Sequence, residues 1–366
     1  MSWGHAFHAE PRPSTRGWWG FRSATLIAGT VLVLAACQAA DTGESPSAAE
    51  SAPAASEAGG DGAAAWTPEE TITIVVPFSA GGPTDTVTRL IADPMAAALG
   101  GEIVVTNVEG AGGTVAAGQV AEAEPDGYTV LMHHIGMSTA PTLYPDLPYD
   151  PLQDFETIGL VTEVPMTIIA RRDFQPNTLQ ELVDYVKANA DKVTYANAGI
   201  GAASQLCGLL FEEATGIDLT EVPYDGTGPA LDDLLGDQVD FMCDQTTNTT
   251  EHIVGGDVKA YAVTTPERID ALPDLPTTEE AGYGDIQVTV WHGLYVPAGT
   301  PPEVVEAMTA ALQTALQDQN VIDSLADLGT GPVPEDQATP EAQTEKLQSQ
   351  IDLWRPIIEA AGVTAS

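Results

Sequence analysis

Ile72-Thr73-Ile74-Val75-Val76-Pro77-Phe78-Ser79-Ala80-Gly81-Gly82-Pro83-Thr84-Asp85 reads as a short buried strand, a loop with paired glycines and the start of a helix. The apolar run ends at Val76, and from Val87 to Leu99 apolar residues recur at helical spacing. Glycine lets backbone N–H groups turn toward a ligand with no Cβ in the way. The helix start adds unpaired donors and partial positive charge. A strand–loop–helix of this kind is therefore either an anion cradle made of backbone or an ordinary βα turn.

Working outward, the same alternation continues along the chain. Strands are predicted at 72–76, 102–106, 128–132, 193–196, 219–223, 239–243 and 260–264, and helices at 84–99, 114–123, 178–188, 202–215, 230–235 and 249–254. Such alternation argues for α/β layers around a mainly parallel sheet. Residues 133–155 are rich in Pro, Tyr and Asp and are expected to be irregular. The nearly uncharged run 158–170 reads as a strand passing from one lobe into the next, and the alternating run 287–296 carries the chain back. Helices then follow from Pro301 to Ala361. With crossings near Val164 and Val290, the expected lobes are 66–164 plus 290–366, and 165–289. Ligand sites favour clefts between lobes. A second glycine loop, Asn197-Ala198-Gly199-Ile200-Gly201, is placed to face the first.

Residues 1–36 read as a targeting segment. Their only charged residues are Arg12, Arg16, Arg22 and Glu10, and 24–36 is an uncharged apolar run too short for a comfortable membrane span. The run ends Leu34-Ala35-Ala36-Cys37, which resembles a bacterial lipobox, so cleavage before Cys37 and its lipidation are expected. Residues 37–65, rich in Ala, Ser, Gly and acidic side chains, read as a flexible tether.

The chain carries 12 Lys+Arg against 53 Asp+Glu, a net charge of −41, which becomes −43 once the targeting segment is gone. A polyanion of this size does not bind nucleic acid or anionic lipid through its general field. The acidic surface reads as a solvation device, as in salt-adapted proteins. None of the nine remaining basic residues falls in the glycine loops. A bound carboxylate must then be held by backbone N–H groups, hydroxyls such as Ser79 and Thr84, and helix N-termini.

Export leaves Cys207 and Cys243, one on a predicted helix and one at a strand end. They can pair in an oxidising compartment, but spacing gives no Cα separation; two buried thiols are the expectation and a disulfide the alternative. Gly110-Ala111-Gly112-Gly113 has a passing likeness to a dinucleotide fingerprint, but it follows the second strand rather than the first, and a turn lining the cleft is expected. His133, His134 and His292 lack metal-ligand spacing. No Gly-x-Ser-x-Gly elbow is present. No cofactor, no metal and no catalytic role are expected, although a hydrolase in the same cleft is the competing class.

From Ile72 to Gly362 the order of motifs resembles the substrate-binding proteins of tripartite tricarboxylate transporters, the Bug family. The residues that carry it are Val76-Pro77-Phe78, Gly81-Gly82 and Asp85, then Gly110-Ala111-Gly112-Gly113 and Pro125-Asp126-Gly127-Tyr128-Thr129. Leu147-Pro148-Tyr149-Asp150-Pro151, Val222-Pro223-Tyr224, Leu272-Pro273-Asp274-Leu275-Pro276-Thr277, Trp291 and Pro297-Ala298-Gly299-Thr300-Pro301 continue it. The resemblance implies a type II periplasmic-binding fold, two α/β lobes closing on a small organic carboxylate. It also implies a monomeric receptor that delivers its ligand to a two-subunit membrane permease, with ligand sensing as an alternative role. Carried over by residue, it puts Phe78, Ser79, Ala80, Gly82, Thr84 and Asp85 on one jaw and Gly199, Gly201 and Ala202 on the other, with Tyr224, Asp225, Gly226 and Trp291 nearby. Asp85 is expected to cap the helix and fix the loop, and Trp291 to serve packing as much as contact. Three positions depart from the family pattern, where a hydroxyl residue, a His and a Lys often stand at Ala202, Gln205 and Asp225. An Asp in place of a Lys makes the cleft less favourable to a second or third carboxylate.

Overall fold

The computed structural model describes residues 66–365 of the chain. The targeting segment 1–36, Cys37 and the tether 37–65 lie outside the described residues.

Strand β1 (Ile72–Val76) pairs in parallel with β2 (Ile103–Asn107) and β3 (Thr129–His134). Between them run α1 (Pro83–Leu99) and α2 (Thr114–Ala121). Helix α1 begins at Pro83, whose fixed φ and missing N–H suit a first turn. It stops at Gly100, which adopts the left-handed conformation (φ 69°) and donates its N–H to the last carbonyls. The segment expected to be irregular, 133–155, is partly regular instead. His133 and His134 complete β3, and α3 (Gly136–Leu143) follows. Gly136 and Pro141 hide this helix from a propensity argument; burial against α10 (Pro340–Ala361) holds it in place.

Strand β4 (Phe155–Arg171) has 17 residues and is buried on both faces along most of its length, hence its nearly unbroken apolar sequence. From Phe155 to Pro165 it pairs antiparallel with β9 (Thr289–Pro297), which in turn pairs with β3. From Met166 onward it pairs with β7 (Phe241–Gln245) and β8 (Val258–Val263). Parallel to β7 lies β5 (Thr194–Asn197), and beyond it β6 (Thr220–Pro223). The strand order is β2-β1-β3-β9-β4-β7-β5-β6, with β8 also on β4. The fold is thus a two-lobe α/β arrangement, and β4 and β9 run between the lobes. Helices α4 (Leu179–Ala188), α5 (Ala203–Thr215), α6 (Thr227–Leu235) and α7 (Thr246–Gly255) belong to the second half of the sheet. Helices α8 (Pro302–Leu316), α9 (Gln319–Asp327) and α10 follow β9.

Cys207 on α5 and Cys243 on β7 form a disulfide with a Cα–Cα separation of 6.2 Å. This corrects the expectation of two buried thiols. Helix α5 packs directly on β7, which brings residues 36 positions apart into bonding range.

Four ionisable side chains are buried on strand ends: His133 and His134 on β3, His292 on β9 and Asp244 on β7. Burial lowers His133 to about 4 and His292 to about 3, and takes His134 well below the usual imidazole range. Burial also raises Asp244 to about 6.

Two outcomes are expected. In the chain-entropy model, opening a loop of this length costs about 3–4 kcal/mol. Cys207→Ala/Cys243→Ala, or reduction of the native protein, should therefore lower the denaturation midpoint measurably in a guanidinium titration; an unchanged midpoint would show that the bond contributes nothing. For pH, the unfolded chain protonates its imidazoles below about 6.5, whereas the fold keeps His133 and His292 neutral down to about 4 and 3. Acidification from pH 6.5 to 4 therefore removes stability, about 3 kcal/mol for His133 alone at 1.4 kcal/mol per unit. Asp244 acts oppositely, since the native state takes up its proton near pH 6. Several buried histidines outweigh one carboxyl, so Tm should fall between pH 7 and pH 4, and fall less steeply in His292→Asn.

Candidate functional site

The first jaw is the loop after β1. Gly81 takes a positive φ of 78°, and Gly82 closes the turn with an N–H to the Ser79 carbonyl at 3.3 Å. Asp85 sits in the first turn of α1 rather than at the N-cap, which is Gly82. Its carboxylate accepts from the Gly81 N–H at 2.8 Å, from Asn107 Nδ2 at 3.0 Å and from Arg89 at 2.8 Å. Burial opposes its ionisation, but the Arg89, Gly81 and Asn107 hydrogen bonds outweigh this and hold it below the ordinary carboxylate range. Asn107 also donates to the Phe78 carbonyl at 2.9 Å, so the loop is pinned from behind. The Phe78 ring stacks on His134 with centroids 4.5 Å apart.

The second jaw is built likewise. The Ala198 N–H reaches Ser204 Oγ at 2.9 Å, the Gly199 N–H reaches Asn197 Oδ1 at 2.9 Å, and Gly201 (φ 85°) donates to Gln205 Oε1 at 3.3 Å. Ala202 is the N-cap of α5 and Gly226 that of α6. Tyr224 spends its hydroxyl on Asp233 at 2.7 Å; burial and that carboxylate push it up to about 12.

The jaws touch. The Ser79 N–H donates to the Asp225 carbonyl at 3.3 Å, Tyr144 Oη to the Ile200 carbonyl at 2.7 Å and Thr139 Oγ1 to the Gly201 carbonyl at 3.4 Å. Two glycines allow this approach. A Cβ on Gly112 (φ 60°) would lie 2.0 Å from the Ile200 carbonyl oxygen, and one on Gly226 would lie 2.0 Å from Ser79 Oγ. The conformation is closed.

Two cavities lie between the jaws, separated by Phe78 and Ala198, which line both. The outer one, about 360 Å³, is lined mainly by loop backbone and apolar groups around Gly112, Tyr144, Gly199, Ile200, Tyr224 and Asp225. The inner one, about 20 Å³, is where polar chemistry converges. The starts of α1 (Gly82, Pro83, Thr84), α5 (Ala202, Ala203, Ser204) and α6 (Thr227) meet there with His134, Asp244 and Gln245. We take the inner one as the candidate site, because three helix N-termini aim unpaired N–H groups at one point. No Lys or Arg lines either cavity. His134 is neutral through burial; its Nδ1 accepts from the Gly136 N–H at 2.9 Å, which leaves its proton on Nε2. Thr84 Oγ1 lies 3.3 Å from His292 Nε2.

Of the residues singled out from sequence, Phe78, Gly82, Thr84 and Ala202 line the inner cavity, and Gly199, Tyr224 and Asp225 the outer. Ser79, Gly201 and Gly226 belong to the contact between jaws. Ala80 is exposed, and Asp85 faces Arg89 on the outside of the loop. Trp291 lies in the core at 1% exposure and lines neither cavity. Sequence reasoning missed Ser204, Thr227, Asp244 and Gln245. The signal for the last two was position, at the C-terminal end of a strand in an open α/β sheet.

Comparison with known proteins agrees with this architecture. Residues 87–363 match the model of the tripartite tricarboxylate transporter family receptor. A UPF0065 protein of Agrobacterium vitis, from the TAR-I ttuE-ttuC' intergenic region, is 50% identical over 295 residues, 81% of this chain and 85% of that one. Among solved structures, the periplasmic binding protein BugD is 52% identical with a TM-score of 0.80, covering 82% of this chain and 100% of its own. MatC of Rhodopseudomonas palustris, solved with bound malate, is 42% identical with a TM-score of 0.78, covering 80% of this chain and 99% of its own. The chain belongs to the tripartite tricarboxylate transporter receptor family, the family of the Bug periplasmic binding proteins.

Proposed function

We propose that this protein is an extracytoplasmic receptor that closes its two lobes, 66–164 plus 290–366 and 165–289, on a small organic carboxylate and performs no chemistry on it. The observation that carries this is the convergence of three helix N-termini, from both lobes, on one buried point with no basic side chain. The bound malate of MatC supports the ligand class. A net charge of −41 repels an anion at long range, but salt screens this beyond roughly 8 Å. Hydrogen bonds to a charged group contribute about 1.5–3 kcal/mol each. Three or four of them are compatible with micromolar binding, about −8 kcal/mol, after the cost of association. The inner cavity has room for about one water, so the lobes must part to admit a ligand and reclose around it. Anchoring through a lipid on Cys37 and delivery to a two-subunit permease complete the proposal.

A thermal-shift series of mono- and dicarboxylates tests it. At a hundred times Kd, a true ligand adds about 2.7 kcal/mol of stability and is recovered unchanged by mass spectrometry. No shift with any carboxylate at any salt concentration, or release of a product, would overturn the reading. Closure itself is tested by Gly112→Ala. Its Cβ would meet the Ile200 carbonyl oxygen at 2.0 Å across the cleft, while the intrinsic strain of that φ costs only about 1–2 kcal/mol. Ligand affinity should fall at least tenfold by calorimetry, with an intact far-UV spectrum and a more open shape by solution scattering.

A further inference from the structure

The inner cavity is not uniformly suited to an anion. One wall consists of donors, the starts of α1 and α5. The opposing feature is the end of β7, where Asp244 and Gln245 present acceptors. Asp244 is 1% exposed and takes part in no ion pair among the described residues. Its carboxylate accepts from the Gln245 N–H at 2.8 Å, from Asn248 Nδ2 at 2.5 Å and from the Thr227 hydroxyl, all neutral donors of its own lobe. Gln245, 4% exposed, has its Oε1 buried without a hydrogen-bond partner. The other ionisable group on the cavity wall, His134, is held neutral. A buried carboxylate with no countercharge, next to an orphaned amide oxygen, is costly unless something bound there donates to both.

We infer that Asp244 and Gln245 form a subsite for a cationic hydrogen-bond donor of the ligand, so that the carboxylate this receptor prefers also carries an ammonium group. This rests on the receptor reading above and names its ligand class: an amino acid whose carboxylate meets the helix starts and whose ammonium meets the β7 end. An ammonium offers three donors, enough for one Asp244 oxygen and Gln245 Oε1 together. A hydroxyl supplies a single proton and leaves the buried charge uncompensated. A ligand with a second carboxylate in that position would set two anions against each other. The three donors already on Asp244 suit its ionised form, which disfavours a shared proton between Asp244 and a ligand carboxyl.

Calorimetric titration of the intact mature protein at pH 7.5 with three matched series tests this: propionate, lactate and alanine; succinate, malate and aspartate; glutarate, 2-hydroxyglutarate and glutamate. In the series whose carbon skeleton fits, the amino acid should bind at least tenfold tighter than the unsubstituted acid, with the hydroxy acid between. Asp244→Asn should collapse that ratio to within threefold. Gln245→Met, close in size and without the orphaned oxygen, should reduce it by three- to tenfold; thermal melts verify that each variant folds. Equal affinity across a series, a hydroxy acid that matches or exceeds the amino acid, or a ratio that survives Asp244→Asn in a folded protein would overturn the inference. If unsubstituted acids bind and amino acids do not, the inference fails and the receptor reading stands. If nothing in any series binds and no other carboxylate does, both fail.

Discussion

One strand, Phe155–Arg171, holds this molecule together in two senses. Its first eleven residues pair with β9 and its remainder with β7 and β8, so both lobes are built on the same stretch of backbone. Sliding one lobe past the other would break a ladder; bending the strand would not. The register changes partner between Pro165 and Met166, opposite Thr289 at the start of β9. Proline has no N–H to give to a ladder, so cross-strand bonding is weakest where the lobes divide. A clamp with a single permitted motion is the mechanical consequence.

That constraint explains why the jaws can be made of backbone. When the motion of two lobes is confined to opening and closing, loops on each can be shaped to meet within hydrogen-bonding distance. The meeting is close enough at Gly112 and Gly226 that no side chain fits. Each loop is stiffened from behind by its own polar side chains: Asp85, Arg89 and Asn107 behind the first, Asn197, Ser204 and Gln205 behind the second. The charged groups near the cleft therefore orient N–H groups instead of facing a ligand. In a chain of net charge −41, this arrangement gathers donors without spending one of only 12 basic residues.

Much of this was legible beforehand, and the failures have physical reasons. Strands and helices alternated clearly because parallel strands buried on both faces must be apolar, and because helices covering them must be amphipathic. The crossing strand was visible as an uncharged run too long for one lobe. Helix α3 was not, because Gly136 and Pro141 lower its intrinsic propensity and packing against α10 supplies what propensity lacks. The pairing of Cys207 with Cys243 was open for a similar reason: spacing along the chain carries no information about which helix lies on which strand.

For the candidate site the division is sharper. By itself the sequence determined the kinds of group on offer: glycine loops at strand ends, helix starts, hydroxyls, and no cation among them. These are local properties, set by residue type and by neighbours within a few positions. Only the tertiary structure decided which of them share a point in space. It turned Asp85 outward to Arg89, buried Trp291 in the core and brought Ser204, Thr227, Asp244 and Gln245 to the inner wall. Those positions depend on the order of strands in the sheet and on closure about β4, and both are fixed by contacts between residues far apart in the chain.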